Sequence, residues 1–235
     1  MEITMPDTTI TYYTTHVKDL VKRYESADVT DLHTLLTDSF PPGTRLLELG
    51  CGSGRDAAFM LENGFDITAS DGIQEMVDAA GACHPALAGR LRCIRLPEDL
   101  TPALGVFDGV YAVATLMHLT RPDIQEVFSR IHRILVPDGR LFFSVPLHRD
   151  DVATDEFDAK GRRFTALTHA EWTGLCRRAG FDILTSTPTS DGLGRKTFAW
   201  LNCLADRDLH SHLTEHGAGQ THSGHRHLDK NPERA

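Results

Sequence analysis

Several things are missing from this 235-residue chain, and each absence closes off a class of protein. No apolar run reaches the ~20 residues needed to span a bilayer, so a membrane-embedded helix is not expected. The N-terminal stretch "MEITMPDTTITYY" lacks a basic start followed by an apolar segment, so no secretory signal is expected. The five cysteines (Cys51, Cys83, Cys93, Cys176, Cys203) are odd in number, scattered, and contain no C-x-x-C pair. That usage fits reduced thiols in the cytoplasm better than a disulfide framework. Excess positive charge is also absent: the net charge is −9, and basic residues cluster only briefly, in "RLR" at 90–92 and "GRR" at 161–163. A surface for long nucleic acid is therefore not expected.

What remains is the composition of an ordinary globular domain, 40% apolar and 24% charged, and long enough for one sizeable core. Tyr12, Tyr13, Val17, Leu20, Val21 and Tyr24 fall near helical spacing, and Leu32, Leu35 and Leu36 continue the pattern after a break. After the turn "PPGT", apolar strands alternate with amphipathic helices. The strands read as "RLLEL", "FDITAS", "LRCIRL", "FDGVYAVATL" and "RLFFSV". Helices are expected over 55–63, 74–80 and 123–135, and "PDG" reads as the turn into the fifth strand. Thr168 followed by Glu171 has capping-box spacing and opens a further helix to Ala179. Two last strands, "FDILTSTPT" and "TFAWLNCLA", have only a turn around "SDGLGR" between them, so the final strand should run antiparallel. The expectation is an α/β fold: a doubly wound, mostly parallel seven-stranded sheet with helices on both faces. Residues 1–43 would form a helical cap, 44–207 the core, and 208–235 a disordered tail. Six of the 13 histidines fall in that tail, and weak metal binding there is the alternative to a neutral, pH-sensitive tail.

The chemistry concentrates in "LLELGCGSGRDA", Leu46 to Ala57. Gly50, Gly52 and Gly54 follow the first strand, where doubly wound sheets bind ligands. Arg55 occupies the sixth position at which a dinucleotide site would want glycine. That weakens an oxidoreductase reading and leaves a bare turn or a different nucleoside ligand. Asp71, at the end of the second strand, stands 21 residues after Gly50 and can accept hydrogen bonds from both ribose hydroxyls. It also suits a helix N-cap before Ile73, and the two roles are compatible.

"LLELGCGSGRDA", "ITASDGIQEMVDAA", "FDGVYAVATLMHL" and "LVPDGRLFFSV", in this order, resemble the class I S-adenosylmethionine-dependent methyltransferases over roughly Tyr12 to Ala205. "GCGSGRDA" and "WLNCL" look closest to small bacterial members of unspecified acceptor. The resemblance implies S-adenosylmethionine as cofactor and S-adenosylhomocysteine as product. Gly50, Cys51, Gly52 and Gly54 would lie under the methionine part, Glu48 would help hold its ammonium, and Asp71 with Gly72 would take the ribose. Ile73 and Met76 would flank the adenine. Where relatives carry an acid after the third strand, this chain has "RLPEDL", with Leu96 or Pro97 at that position, so that Glu98, Asp99 or backbone groups would substitute.

Arg23 and one of Tyr12 or Tyr13 would close over the cofactor; Tyr13 is the one assigned to the site, and the other reading makes both core residues. A base for the acceptor's proton would be His118 in "TLMHLT", unless it only packs at the strand end, with His148 in "PLHRDD" a second candidate. The polar stretch 148–163 reads as a solvated loop or as a lid that selects the acceptor. Asp150, Asp151 and Asp155 make a poor metal site, and none is expected. A small-molecule acceptor is favoured, a protein side chain is the alternative, and a binder that transfers nothing is the other class of answer.

Overall fold

The computed structural model describes residues 8–148, 156–190 and 199–208. The tail from 209 on, the first part of the polar stretch (149–155) with Asp150, Asp151 and Asp155, and residues 191–198 of the last turn lie outside the described residues. Three helices lead in: α1 (Thr8–Thr15), α2 (Val17–Glu25) and α3 (Thr30–Ser39). Then come β1 (Arg45–Leu49), α4 (Arg55–Glu62), β2 (Asp66–Asp71), α5 (Gln74–Cys83), β3 (Leu91–Cys93) and β4 (Phe107–Val113). The chain ends in α6 (Arg121–Ile134), β5 (Leu135–His148), α7 (His169–Arg178), β6 (Phe181–Ser190) and β7 (Ala199–Arg207).

The seven strands form one sheet in the order β3-β2-β1-β4-β5-β7-β6. The pairs from β3 through β5 are parallel, and β7 is antiparallel to both β5 and β6. Only β7 is therefore reversed, as the sequence led us to expect. The physical reason is chain length: residues 191–198 are too few for the crossover of a dozen or more residues that a parallel neighbour requires. Strand order turns back between β1 and β4, which creates a crevice at their carboxyl ends.

Alternation along the central strands sorts the core into two layers. Leu47 and Leu49 of β1 join Val110 and Ala112 of β4 under α6 and α7, with Phe128, Ile131 and Trp172. Leu46 and Tyr111 point the other way, toward Leu36, Phe40, Ala57 and Met60. Glu48 has the same parity as Leu46, so a carboxyl group lies among apolar neighbours on that face.

Three local expectations need correction. The third strand stops at Cys93, because Arg95 N–H turns back to the Asp99 carboxylate (2.9 Å) and Pro97 cannot donate to a ladder. The "PDG" turn lies inside β5 as an irregularity between the pairs Phe107↔Leu135 and Gly109↔Arg140, with Asp138 at φ +60°. The polar stretch, in its described part, is not a solvated loop. Phe157 bridges to Arg163, and both Asp158 and Arg162 are 8% exposed. The capping box at α7 is present as expected, with Thr168 and Glu171 each accepting from the other's backbone N–H.

Candidate functional site

A cavity of about 930 Å³ opens at the carboxyl ends of β1, β2 and β4, within the size range of small-molecule sites. Its floor is the turn from Gly50 to Gly54. Gly50 has φ +79°, and a Cβ there would lie 2.1 Å from Oγ1 of Thr115, so a side chain is excluded twice over. A Cβ on Gly52 (φ +54°) would meet the Tyr24 ring at 3.2 Å, which shows how closely α2 approaches the turn. Gly50 and Cys51 N–H both donate to the Ser70 carbonyl at 2.7 Å, tying the floor to the end of β2.

Asp71 sits at that end. One carboxylate oxygen accepts from Gly52 N–H (3.0 Å) and the other from Ile73 N–H (3.1 Å). Each oxygen keeps acceptor capacity toward the cavity it lines. Burial pushes its pKa up to about 6, against the opposing effect of the backbone donors from Gly52, Ile73 and Gly72. Gly72, Ile73, Met76, Leu96 and Glu98 line the same end, as does Asp99. Cys51 lines the floor, and burial, with the charge of Glu48 adding to it, holds its thiol protonated.

Glu48 is not on the cavity wall. It is buried beneath the floor, and burial first, then the charge of Asp56, raises its pKa well above the ordinary carboxylate range. Its Oε2 has no hydrogen-bond partner among the described residues. Asp56 goes the other way: burial disfavours its charge, but hydrogen bonds from His33 (2.9 Å) and Arg55 (2.8 Å) outweigh that and lower its pKa. Arg55 also donates to the Tyr24 carbonyl at 2.6 Å. The residue that breaks the dinucleotide pattern thus ties α2 to α4.

Arg23 reaches the cavity from α2, stacked over the Tyr24 ring at 5.2 Å. Tyr13 lines it from α1 and places its hydroxyl 2.8 Å from Nε2 of His118. His118 closes the 3₁₀ turn Leu116–His118 after β4, and its Nδ1 is 2.7 Å from the Arg163 carbonyl. Tyr12 is 8% exposed and packs with Leu20, Ile73 and Met76, so of the two tyrosines only Tyr13 lines the cavity. His148 is the last residue of β5, and its side chain lies outside what the structure describes. No cluster of three metal-ligating side chains exists among the described residues.

Among the lining residues that escaped the sequence reading are Tyr24, Thr115, Arg162 and Phe164. Tyr24 carried only the helical apolar signal, and Arg162 only a short basic cluster. Neither pattern tells where the side chain ends in space.

A sheet with this strand order, a glycine floor at its switch point and an acid ending β2 define a Rossmann-like domain built for a nucleoside-bearing ligand. The methyltransferase domain family matches residues 21–186, more than half of the chain. An uncharacterized methyltransferase of Synechocystis sp. is 31% identical over 108 residues, 46% of this chain and 49% of the relative. The magnesium-protoporphyrin O-methyltransferase of Rhodobacter capsulatus is 31% identical over 90 residues, 38% of this chain and 40% of the relative. The chain thus matches about half the length of these curated relatives, or less. Among solved structures, 1,6-didemethyltoxoflavin-N1-methyltransferase of Burkholderia thailandensis, with 1,6-didemethyltoxoflavin and S-adenosylhomocysteine bound, superposes with a TM-score of 0.70. Its identity is 21%, covering 88% of this chain and 92% of that one. This chain belongs to the class I S-adenosylmethionine-dependent methyltransferase family.

Proposed function

We propose that the protein transfers the methyl group of S-adenosylmethionine to a nucleophilic atom of a small molecule. The observation that carries this reading is the pairing of the Gly50–Gly54 floor with the Asp71 carboxylate at one end of one cavity. The residues fit the cofactor. A floor without side chains at Gly50 and Gly52 admits its methionine part, Asp71 accepts from the ribose, and Ile73, Met76 and Leu96 offer apolar contact to the adenine. Arg23, which lines the cavity, offers a partner for the cofactor's carboxylate, whereas Glu48, buried beneath the floor with a raised pKa, offers its ammonium no direct contact from the wall. When bound, S-adenosylmethionine supplies a methyl carbon already activated on a sulfonium. The chain's own task is then to align the acceptor, a contribution on the order of 7–11 kcal/mol for well-placed reactants, and to take up any proton it loses.

A small acceptor is supported by the walled cavity, the acidic chain and the structural neighbour crystallised with a small heterocycle. Among the described residues no helix is long and apolar enough to cross a membrane, and all five cysteines are free, which supports a reducing cytoplasm. The test is calorimetric titration with S-adenosylhomocysteine, followed by label transfer from methyl-labelled S-adenosylmethionine in a cell extract. Saturable binding and label in the small-metabolite fraction are expected. Absence of both heat and thermal shift overturns the reading, label confined to protein redirects it to a polypeptide acceptor, and binding without transfer makes the chain a binder only.

A further inference from the structure

Away from the glycine floor, the cavity is walled by residues from separate parts of the chain. Tyr13 comes from α1, His118 from the turn after β4, Arg162 to Phe164 from the segment after β5, and Trp200 from β7. The Arg163 carbonyl can only accept, so the 2.7 Å contact puts the proton of a neutral His118 ring on Nδ1. Nε2 is then a bare lone pair, and the Tyr13 hydroxyl at 2.8 Å donates to it. The Phe164 and Tyr13 rings meet the imidazole edge-on at centroid distances of 4.8 and 5.3 Å and fix its plane. The Arg162 guanidinium faces the Tyr13 oxygen and is itself held by Asp158, with Nε to carboxylate at 2.8 Å. Burial keeps the Tyr13 phenol well above its ordinary pKa, so it is a neutral donor and not a phenolate base.

We infer that Tyr13 and His118 form a two-step proton relay, and that the acceptor is a planar, largely apolar small molecule bearing one ionisable hydroxyl of the phenol kind. The inference rests on the methyl-transfer reading above and adds the acceptor class to it. The acceptor's O–H bond breaks and its proton goes to the Tyr13 oxygen, while the Tyr13 proton goes to Nε2 of His118. Tyr13 ends neutral, His118 ends as an imidazolium, and the acceptor oxygen keeps the electron pair with which it takes the methyl group. One positive charge leaves the sulfonium as one arises on the imidazole, so the cavity's net charge is unchanged. An amine with its lone pair already free needs no such relay. The surrounding Ile10, Met117, Leu119, Phe164 and Trp200 give a flat body apolar contact, with Arg162 and Arg163 at its edge to face the oxygen that ionises.

The probe is 4-nitrophenol, whose visible absorption marks its ionised form. It is added to the full chain saturated with S-adenosylhomocysteine, at a mildly acidic pH where the free probe is protonated. We expect a saturable phenolate band with the wild type. His118→Asn should bind the probe without the band and lower methyl transfer to it about 100-fold or more. Tyr13→Phe should weaken the band severalfold more than it weakens S-adenosylhomocysteine binding, and cooperative urea unfolding of both variants reports that they are folded. Failure of the wild type to bind or ionise the probe overturns the relay. So does a band that survives both substitutions, or a loss of S-adenosylhomocysteine affinity in Tyr13→Phe as steep as the loss of the band. If S-adenosylhomocysteine itself does not bind the wild type, the methyl-transfer reading fails first and separately.

Discussion

Along the floor of the cavity, the positioning contacts run between residues near in sequence: Gly52 N–H reaches Asp71, 19 positions on. At the opposite wall, Tyr13 reaches His118 across 105 positions, and Arg163 N–H reaches the Thr9 hydroxyl across 154. The first wall is one β-α-β segment, whose geometry follows from a strand, a tight turn and a helix. The second is an assembly of α1, the turn after β4 and the segment after β5, and it exists only once the sheet has brought those pieces together. The lesson is that the Gly52–Asp71 part of the floor is specified locally, whereas the opposite wall depends on docking.

The largest effect should come from breaking the floor. Gly50→Ala places a Cβ against Thr115 at a left-handed φ and should cost about 2–5 kcal/mol, read from urea unfolding. Adding Thr115→Ala to that variant should recover the packing part but not the backbone part. If Gly50→Ala is as stable as the wild type, the floor is not as tight as the contact distances imply.

Next comes Asp71. Its removal in Asp71→Ala should weaken S-adenosylhomocysteine binding by about 10- to 100-fold, the worth of hydrogen bonds to a charged acceptor. The sign of its pH dependence is fixed by the raised pKa of about 6. Between the ordinary carboxylate range and that value the folded chain holds a proton that the unfolded chain has lost. This group therefore makes the ligand-free protein less stable as pH rises from about 4 to 6. Ribose hydroxyls favour the ionised form, so affinity for S-adenosylhomocysteine should fall as pH drops below about 6. Affinity in Asp71→Asn should be flat across that window, and an unchanged slope would remove Asp71 from the ribose position.

The smallest effect should come from loosening the far wall. Burial opposes ionisation of Asp158, but the backbone and guanidinium of Arg162 outweigh it and lower its pKa. Asp158→Asn should cost about 1–2 kcal/mol and raise hydrogen exchange in α1 and 156–165, with S-adenosylhomocysteine affinity unchanged. The wild-type contribution is present above about pH 4 and fades as pH falls further. Equal exchange in both proteins would mean the two walls do not differ in the way described.

Legibility in the sequence follows the same division. Strand alternation, the glycine turn and Asp71 could be read because each is a short-range pattern with a short-range cause. The end of β3 at Cys93 and the irregularity inside β5 were not: the first rests on the Arg95 N–H turning back to the Asp99 carboxylate, which no periodicity signals, and the second on pairing with β4. The burial of Asp158 and Arg162 was hidden for a related reason. A run of charges looks solvated until the fold shows that the members pair with one another under the Tyr12 ring, which Arg162 faces at 5.0 Å.

By itself, the sequence determined the order of strands and helices, the reversed last strand, and a glycine turn with Asp71 beside it at the ends of β1 and β2. Hydrophobic period, turn chemistry and connection length act over a few residues and do not need the rest of the chain. Only the tertiary structure decided that His118 turns Nδ1 to the Arg163 carbonyl, that Tyr13 faces its other nitrogen, and that Glu48 lies under the floor and off the wall. Those facts depend on which side chains meet across the sheet, and that is set by packing between elements far apart in the chain.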